Sequence, residues 1–261
     1  MKTAVVTGAS SGMGADFARE LYARGYDVVL VARRQQRLEA LKTELEKQTA
    51  QTPRPTVTVF PADLSREEDC RALVQATRER NVEILINNAG FGVFGEFAQT
   101  SVRRELELID VNVRAMHLLM KLYLDEFSEK GSGYVLNVAS SAGFLPGPLF
   151  SSYYASKAYM LRLSQAVAYE LKRKKSRVIV SVLCPGPVDT EFNEKAGVRF
   201  ALPGLSSKKV TLYALKKMFA GKTVIIPGGM MKLGRLFSKI APDRLLCAYA
   251  YRFQSRKRPQ T

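Results

Sequence analysis

"VVTGASSGMGADFARE" (residues 5–20) sets a glycine-rich turn between two unlike segments. The residues before it, "TAVVT" (3–7), are β-branched and read as a strand; a helix-length segment, 13–24, follows. Gly8, Gly12 and Gly14 let the backbone turn tightly and come close to a pyrophosphate without a side chain in the way. A helix opening near Met13 offers that anion unpaired amides and a positive dipole end. A glycine-rich turn alone says little, but between a strand and a helix it points to a dinucleotide site.

The same alternation continues along the chain. "DVVLVA" (27–32), "TVTVF" (56–60), "EILIN" (83–87), "YVLNVA" (134–139), "VIVSVL" (178–183) and "TVIIP" (223–227) are dense in valine and isoleucine with little polar alternation. Strands of a parallel sheet covered on both faces look like this. Between them lie helix-length segments at 34–48, 66–79, 101–129 and 154–174. This rhythm predicts an α/β fold with one doubly wound parallel sheet, a Rossmann fold, as a single domain over 1–227. The stretch 193–221 is long for a connection and is expected to form a flap or short helices beside the site. Residues 228–261 lie beyond the last strand as a basic, helical C-terminal extension.

Composition narrows the classes. The chain has 261 residues, 46% of them hydrophobic, which suits one sizeable core. Cys70, Cys184 and Cys247 fit neither a disulfide framework nor a metal site, so no metal is expected and a reduced, cytoplasmic setting suits them. The single histidine, His117, stands among apolar residues and is expected to serve packing. The formal charge is +16, yet no nucleic-acid recognition motif is present and no nucleic-acid partner is expected. Much of the excess is local: from Met230 to Thr261 eight basic residues stand against one acid, Asp243, and "KRKKSR" (172–177) forms a second cluster. No secretion signal opens the chain, and no apolar run approaches the length of a membrane span.

The second strand runs into "VARRQQR". An acid here would hold a free ribose 2′-hydroxyl, whereas an arginine accommodates a 2′-phosphate. Arg33 and Arg34 follow Ala32 with no acid beside them, which favours NADP(H) over NAD(H). "SSYYASKAYM" (151–160) leads into a helix, where Tyr153 and Lys157, four residues apart, share a face that Tyr154 does not. An ammonium near a phenol is expected to lower its pKa and prepare it for proton transfer.

"TGASSGMG" (7–14), with "NNAG" (87–90) and "PGPVDT" (185–190), resembles the motifs of the short-chain dehydrogenase/reductase family in order and spacing. The resemblance covers roughly residues 3–192, and within the family it is similar to bacterial reductases related to hydroxysteroid dehydrogenases and 3-oxoacyl reductases. It implies that Tyr153 is the general acid/base and that Lys157 also holds the nicotinamide ribose. In "NVASSAG" it implies Ser140 as the residue that polarises the substrate oxygen, with Ser141 as the alternative. Asn112, in "IDVNVRAMH", matches an asparagine that distorts a helix and supports a proton relay. Ser10, Ser11 and Met13 fall within the cofactor loop. Asp63 and Leu64 match the adenine side, Asn87, Ala89 and Gly90 the adenosine side, and Pro185, Gly186, Val188 and Thr190 the nicotinamide carboxamide side. Candidates for an apolar pocket are Phe91, Phe94, Phe144, Leu145, Leu149, Phe192 and Phe200.

The expected activity is hydride exchange between NADP(H) and a carbonyl or secondary alcohol of an apolar substrate, in a homodimer or homotetramer. The alternatives are a non-catalytic NADP(H)-binding regulator or scaffold, and a membrane-surface reductase of acyl or sterol substrates. The tail carries the last of these, since Met231, Leu233, Leu236, Phe237 and Ile240 fall on one helical face beside Lys232, Arg235 and Lys239. The competing expectation is that the tail packs over the substrate pocket or a neighbouring subunit.

Overall fold

A computed structural model describes residues 1–48, 54–192 and 204–255. Seven parallel strands form its sheet in the order β3-β2-β1-β4-β5-β6-β9. They are β1 (Thr3–Thr7), β2 (Asp27–Ala32), β3 (Val57–Pro61), β4 (Val82–Asn87), β5 (Ser132–Val138), β6 (Arg177–Leu183) and β9 (Val224–Ile225). Every residue of β1 and β4 is buried, Thr3, Thr7, Glu83 and Asn87 along with the apolar majority. Within each strand the faces alternate. Ala4 and Val6 of β1, with Ile84 and Ile86 of β4, join one core cluster, while Val5 and Leu85 join the other.

Helices cover both clusters. Phe17 and Leu21 of α1 (Gly12–Ala23) and Leu38 and Leu45 of α2 (Gln35–Gln48) pack on the first face. Leu73 of α3 (Glu67–Thr77) packs on the second, with residues from the long helical run after β4 and from α6 (Ser151–Arg173). That run, expected as one helix, has three parts: α4 (Val102–Ile109), a π-helical turn (Asp110–Ala115) and α5 (Met116–Lys130). From β1 the chain winds outward to β2 and β3, and from β4 outward through β5 and β6 in the other direction. The carboxyl ends of β1 and β4 therefore border the crevice where such sheets place ligands.

Three expectations need correction or completion. Residues 193–203 of the expected flap lie outside the described residues. Beyond them, β8 (Leu205–Ser206) pairs with β7 (Val188–Asp189), and α7 (Ser207–Phe219) buries Val210, Ala214, Leu215 and Met218 in the first core cluster. Residues 207–219 are thus part of the helical layer, because four apolar positions at helical spacing anchor them to the sheet. The extension forms α8 (Gly229–Phe237) and α9 (Asp243–Gln254). His117 is exposed rather than packed, and its Nδ1 lies 2.7 Å from the Tyr159 hydroxyl. Among the described residues no helix is long and apolar enough to cross a membrane.

Candidate active site

The first loop is built for close backbone contact. A Cβ on Gly14 would run into the Gly8 carbonyl, so only glycine lets α1 start this near the end of β1. Gly12 has φ +52, and a Cβ there would lie 2.9 Å from Thr190 Cγ2. The Ser11 N-cap makes no side-chain capping bond and no acid stands in the first turn of α1. The amides and positive end of α1 therefore face the crevice, an arrangement that suits a diphosphate.

The two arginines after β2 diverge. Arg34 turns into the loop: its Nη2 donates to Ser11 Oγ (2.8 Å) and Ser10 Oγ (3.0 Å), and its Nε to Ser10 Oγ (3.2 Å). Its Nη1 donates to Glu191 Oε2 at 3.0 Å. Arg33 Nη1 instead reaches Glu107 Oε1 (3.0 Å) and lies 3.9 Å from Asp63 Oδ2. A cavity of about 1050 Å³ runs from these arginines to Tyr153, roomy enough for a dinucleotide and a second molecule. Its wall includes Gly8, Ser10, Ser11, Gly12, Met13, Asp63, Leu64, Ala89 and Gly90, and, at the other end, Pro185, Gly186, Val188 and Thr190. Asn87 is not in that wall. It is buried in the sheet, and its Nδ2 donates to Asn137 Oδ1 at 2.9 Å. Asn88 faces the cavity instead, because successive residues at a strand end point to opposite sides.

At the far end, Tyr153 and Lys157 rise from the first turns of α6, both buried. The Tyr153 phenol stands beside the side chain of Ser140, whose Oγ accepts from Ala142 N at 3.1 Å. Ser141 is held by its backbone, donating to Pro185 O at 2.8 Å. Lys157 Nζ donates to Val138 O (2.9 Å) and lies 5.6 Å from the centre of the Tyr153 ring. The expectation that this ammonium lowers the phenol pKa is corrected here. Burial pushes Tyr153 up, and the Ser140 hydroxyl beside it offsets only part of that. Burial also lowers Lys157 to about 8.

Asn112 sits in the π-helical turn, where the widened backbone turns its amide inward. Its Nδ2 donates to Phe91 O (2.9 Å) and Ser156 Oγ (3.1 Å), and its Oδ1 accepts from Phe91 N (3.1 Å). Ser156 Oγ in turn donates to Tyr153 O at 2.7 Å. Asn112 is outside the cavity wall, but it and Lys157 converge on Gly90: a Cβ there would lie 2.9 Å from Asn112 Oδ1 and 3.4 Å from Lys157 Nζ.

Of the apolar candidates, Phe91, Phe144, Leu145 and Phe192 line the cavity, with the Phe192 ring 5.2 Å from that of Tyr153. Phe94 and Leu149 do not line it: Phe94 stands edge-on behind Phe150. Phe200 lies outside the described residues. Sequence reasoning missed Phe150, whose ring centre is 4.8 Å from that of Tyr153. The extension packs over the cavity, as one of the two expectations for the tail had it. Met231, Leu233, Tyr249 and Phe253 line one side, and Gln254 Nε2 donates to Tyr154 Oη at 2.5 Å. The apolar periodicity of the tail was a visible signal of a helix, but not of which residues it meets, Tyr154 among them.

The sequence matches the short chain dehydrogenase family over residues 2–198. An uncharacterized oxidoreductase of Staphylococcus saprophyticus is 32% identical over 220 residues, 83% of this chain and 92% of that protein. Human 17-beta-hydroxysteroid dehydrogenase type 3 is 32% identical over 193 residues, 73% of this chain but only 60% of that protein. A solved short-chain dehydrogenase from Sphingobium yanoikuyae, in complex with NADPH, is similar with a TM-score of 0.81 and 33% identity, covering 94% of this chain and all of that one. The family match spans six of the seven sheet strands, the glycine loop and the Tyr153–Lys157 turn alike, and by it this chain belongs to the short-chain dehydrogenase family of oxidoreductases.

Proposed function

We propose that the protein is an NADP(H)-dependent reductase of apolar carbonyl compounds, or their alcohol dehydrogenase in reverse. The observation that carries this is the Tyr153 phenol beside Ser140 at the foot of an apolar cavity whose other end is Arg34. A nicotinamide dinucleotide, when bound, supplies or accepts the hydride. The residues present fit such a group. The amides of α1 and the glycine loop would hold the diphosphate, and Arg34 with Ser10 and Ser11 a 2′-phosphate. The NADPH complex of the Sphingobium relative supports that preference.

Ser140 donates a hydrogen bond to the substrate oxygen and fixes its direction. Tyr153 transfers the proton. Burial raises its pKa, so the phenol carries its proton at neutral pH. Asn112 holds the Phe91 backbone and, through Ser156, the start of α6 on which Tyr153 stands. The aromatic walls exclude water and favour a bulky apolar substrate.

Assembly as a homodimer or homotetramer is supported by exposed apolar residues on α4 (Val102, Leu106, Ile109) and α6 (Tyr159, Tyr169). Free cysteines suit a reducing cytoplasm. The extension is assigned as a wall of the cavity. A second reading, contact with an anionic membrane surface, is favoured by α8, which has no buried residue.

The test is oxidation of NADPH and of NADH by the purified protein against ketosteroids, 3-oxoacyl thioesters and diketones. Turnover is expected with NADPH, and Tyr153→Phe is expected to abolish it while NADPH still binds. Stoichiometric NADPH binding with no turnover across the panel would overturn the reading and leave a cofactor-binding regulator.

A further inference from the structure

Three consecutive residues after β7 touch three parts of the site. Thr190 packs on Gly12 of the loop. Glu191 bonds Arg34 Nη1 at 3.0 Å and Arg37 Nη1. Phe192 stacks on Tyr153. Two guanidiniums, Arg34 and Arg37, thus converge on the Glu191 carboxylate, and the other Arg34 N–H groups go to the Ser10 and Ser11 hydroxyls. Burial pushes this carboxyl up, but the bonds from Arg37 and Arg34 outweigh it and hold it at about 2, so it is charged at any ordinary pH.

Resting on the reading of Arg34, Ser10 and Ser11 as a 2′-phosphate site, we propose that Glu191 is a built-in competitor for that site. A phosphate monoester and a carboxylate are like charges, and the Nη1 that serves one is lost to the other. The carboxylate therefore leaves Arg34 when a 2′-phosphorylated adenosine binds, and the backbone that carries it also carries Phe192. Occupation of the phosphate site thus loosens the ring that lies against Tyr153. A nucleotide lacking the 2′-phosphate leaves Glu191 and Phe192 where they are. Glu191 in this account sets cofactor affinity and makes carbonyl access follow cofactor binding.

The experiment is calorimetric titration of the full chain with adenosine 2′,5′-bisphosphate and with 5′-AMP, which differ only in the 2′-phosphate. Glu191→Gln keeps the shape and removes the charge. It is expected to bind the bisphosphate about tenfold more tightly, the worth of one charge-assisted bond at a part-exposed position. Its affinity for 5′-AMP is expected to stay unchanged, and Arg34→Ala in the same background is expected to erase the gain. In the wild type, hydrogen exchange over residues 188–192 should rise with the bisphosphate and not with 5′-AMP. A thermal melt confirms that each variant is folded. If the wild type prefers the bisphosphate but Glu191→Gln binds it no better, or less well, the competitor role is overturned and the phosphate site stands. If the 2′-phosphate adds nothing in either protein, the site itself is refuted and the inference falls with it.

Discussion

Lys157 is a cation enclosed by protein, and its burial costs stability in a pH-dependent way. Its pKa falls from 10.5 to about 8, so between these values the unfolded chain binds more protons than the folded one. Stability from this group therefore rises with pH across that window and is level below it. Lys157→Met removes the titration. The stability difference should then shift in favour of the wild type as pH rises through the window, by up to about 1.4 kcal/mol per unit. Urea unfolding of both proteins near neutrality and at the alkaline end of the window checks this, and a difference that stays constant would contradict it. Tyr154 is a second residue whose task is set by its partner. It is bonded to Gln254, whose Oε1 has no hydrogen-bond partner among the described residues. Tyr154→Phe should leave proton transfer at Tyr153 intact and weaken the docking of α9 by about 1–3 kcal/mol. Hydrogen exchange of Asp243–Gln254 should rise in the variant; unchanged exchange with lost turnover would give Tyr154 the role assigned to Tyr153.

Elements show which part of this was legible in sequence. The π-helical turn was foreshadowed by Asn112 within a helical pattern, and the turn exists to aim that amide at the Phe91 backbone. Asn112→Ala should leave the Phe91 N–H and C=O unpaired and cost about 2 kcal/mol or more, read from urea unfolding. A fall within a few tenths of a kcal/mol would mean that the turn holds without its amide. Features carried by local spacing were readable: the glycine loop between β1 and α1, the valine-rich buried strands, and Tyr153 with Lys157 one helical turn apart. Asn87 and Asn88 were confused because a motif names neighbours without saying which side of the sheet each faces. Arg34 with Glu191 and Tyr154 with Gln254 were invisible because the partners stand 157 and 100 positions apart in sequence. Residues 207–219 went unrecognised as a layer of the fold because their apolar positions sit among lysines.

At the scale of the molecule, assembly and surface are the open forces. Light scattering should give a mass of two or four times the 29.0 kDa chain. A monomer at micromolar concentration would leave Val102, Leu106 and Ile109 without the partner assigned to them. Met230, Leu233 and Ile240 of the extension are 75%, 69% and 77% exposed beside Lys232, Arg235 and Lys239. If they meet lipid, the protein should sediment with anionic vesicles at low salt and come off as salt rises. Protein that stays in the supernatant at low salt leaves α8 as cavity wall alone. The strand order carries a last consequence, for synthesis. β1 is an interior strand, yet one of its two neighbours is β4, and Val5 stands beside Leu85. The first five-residue strand to leave the ribosome must wait for some eighty more residues before both its edges are covered. Until then the nascent chain carries a valine-rich ribbon with an edge uncovered, before its nucleotide crevice exists.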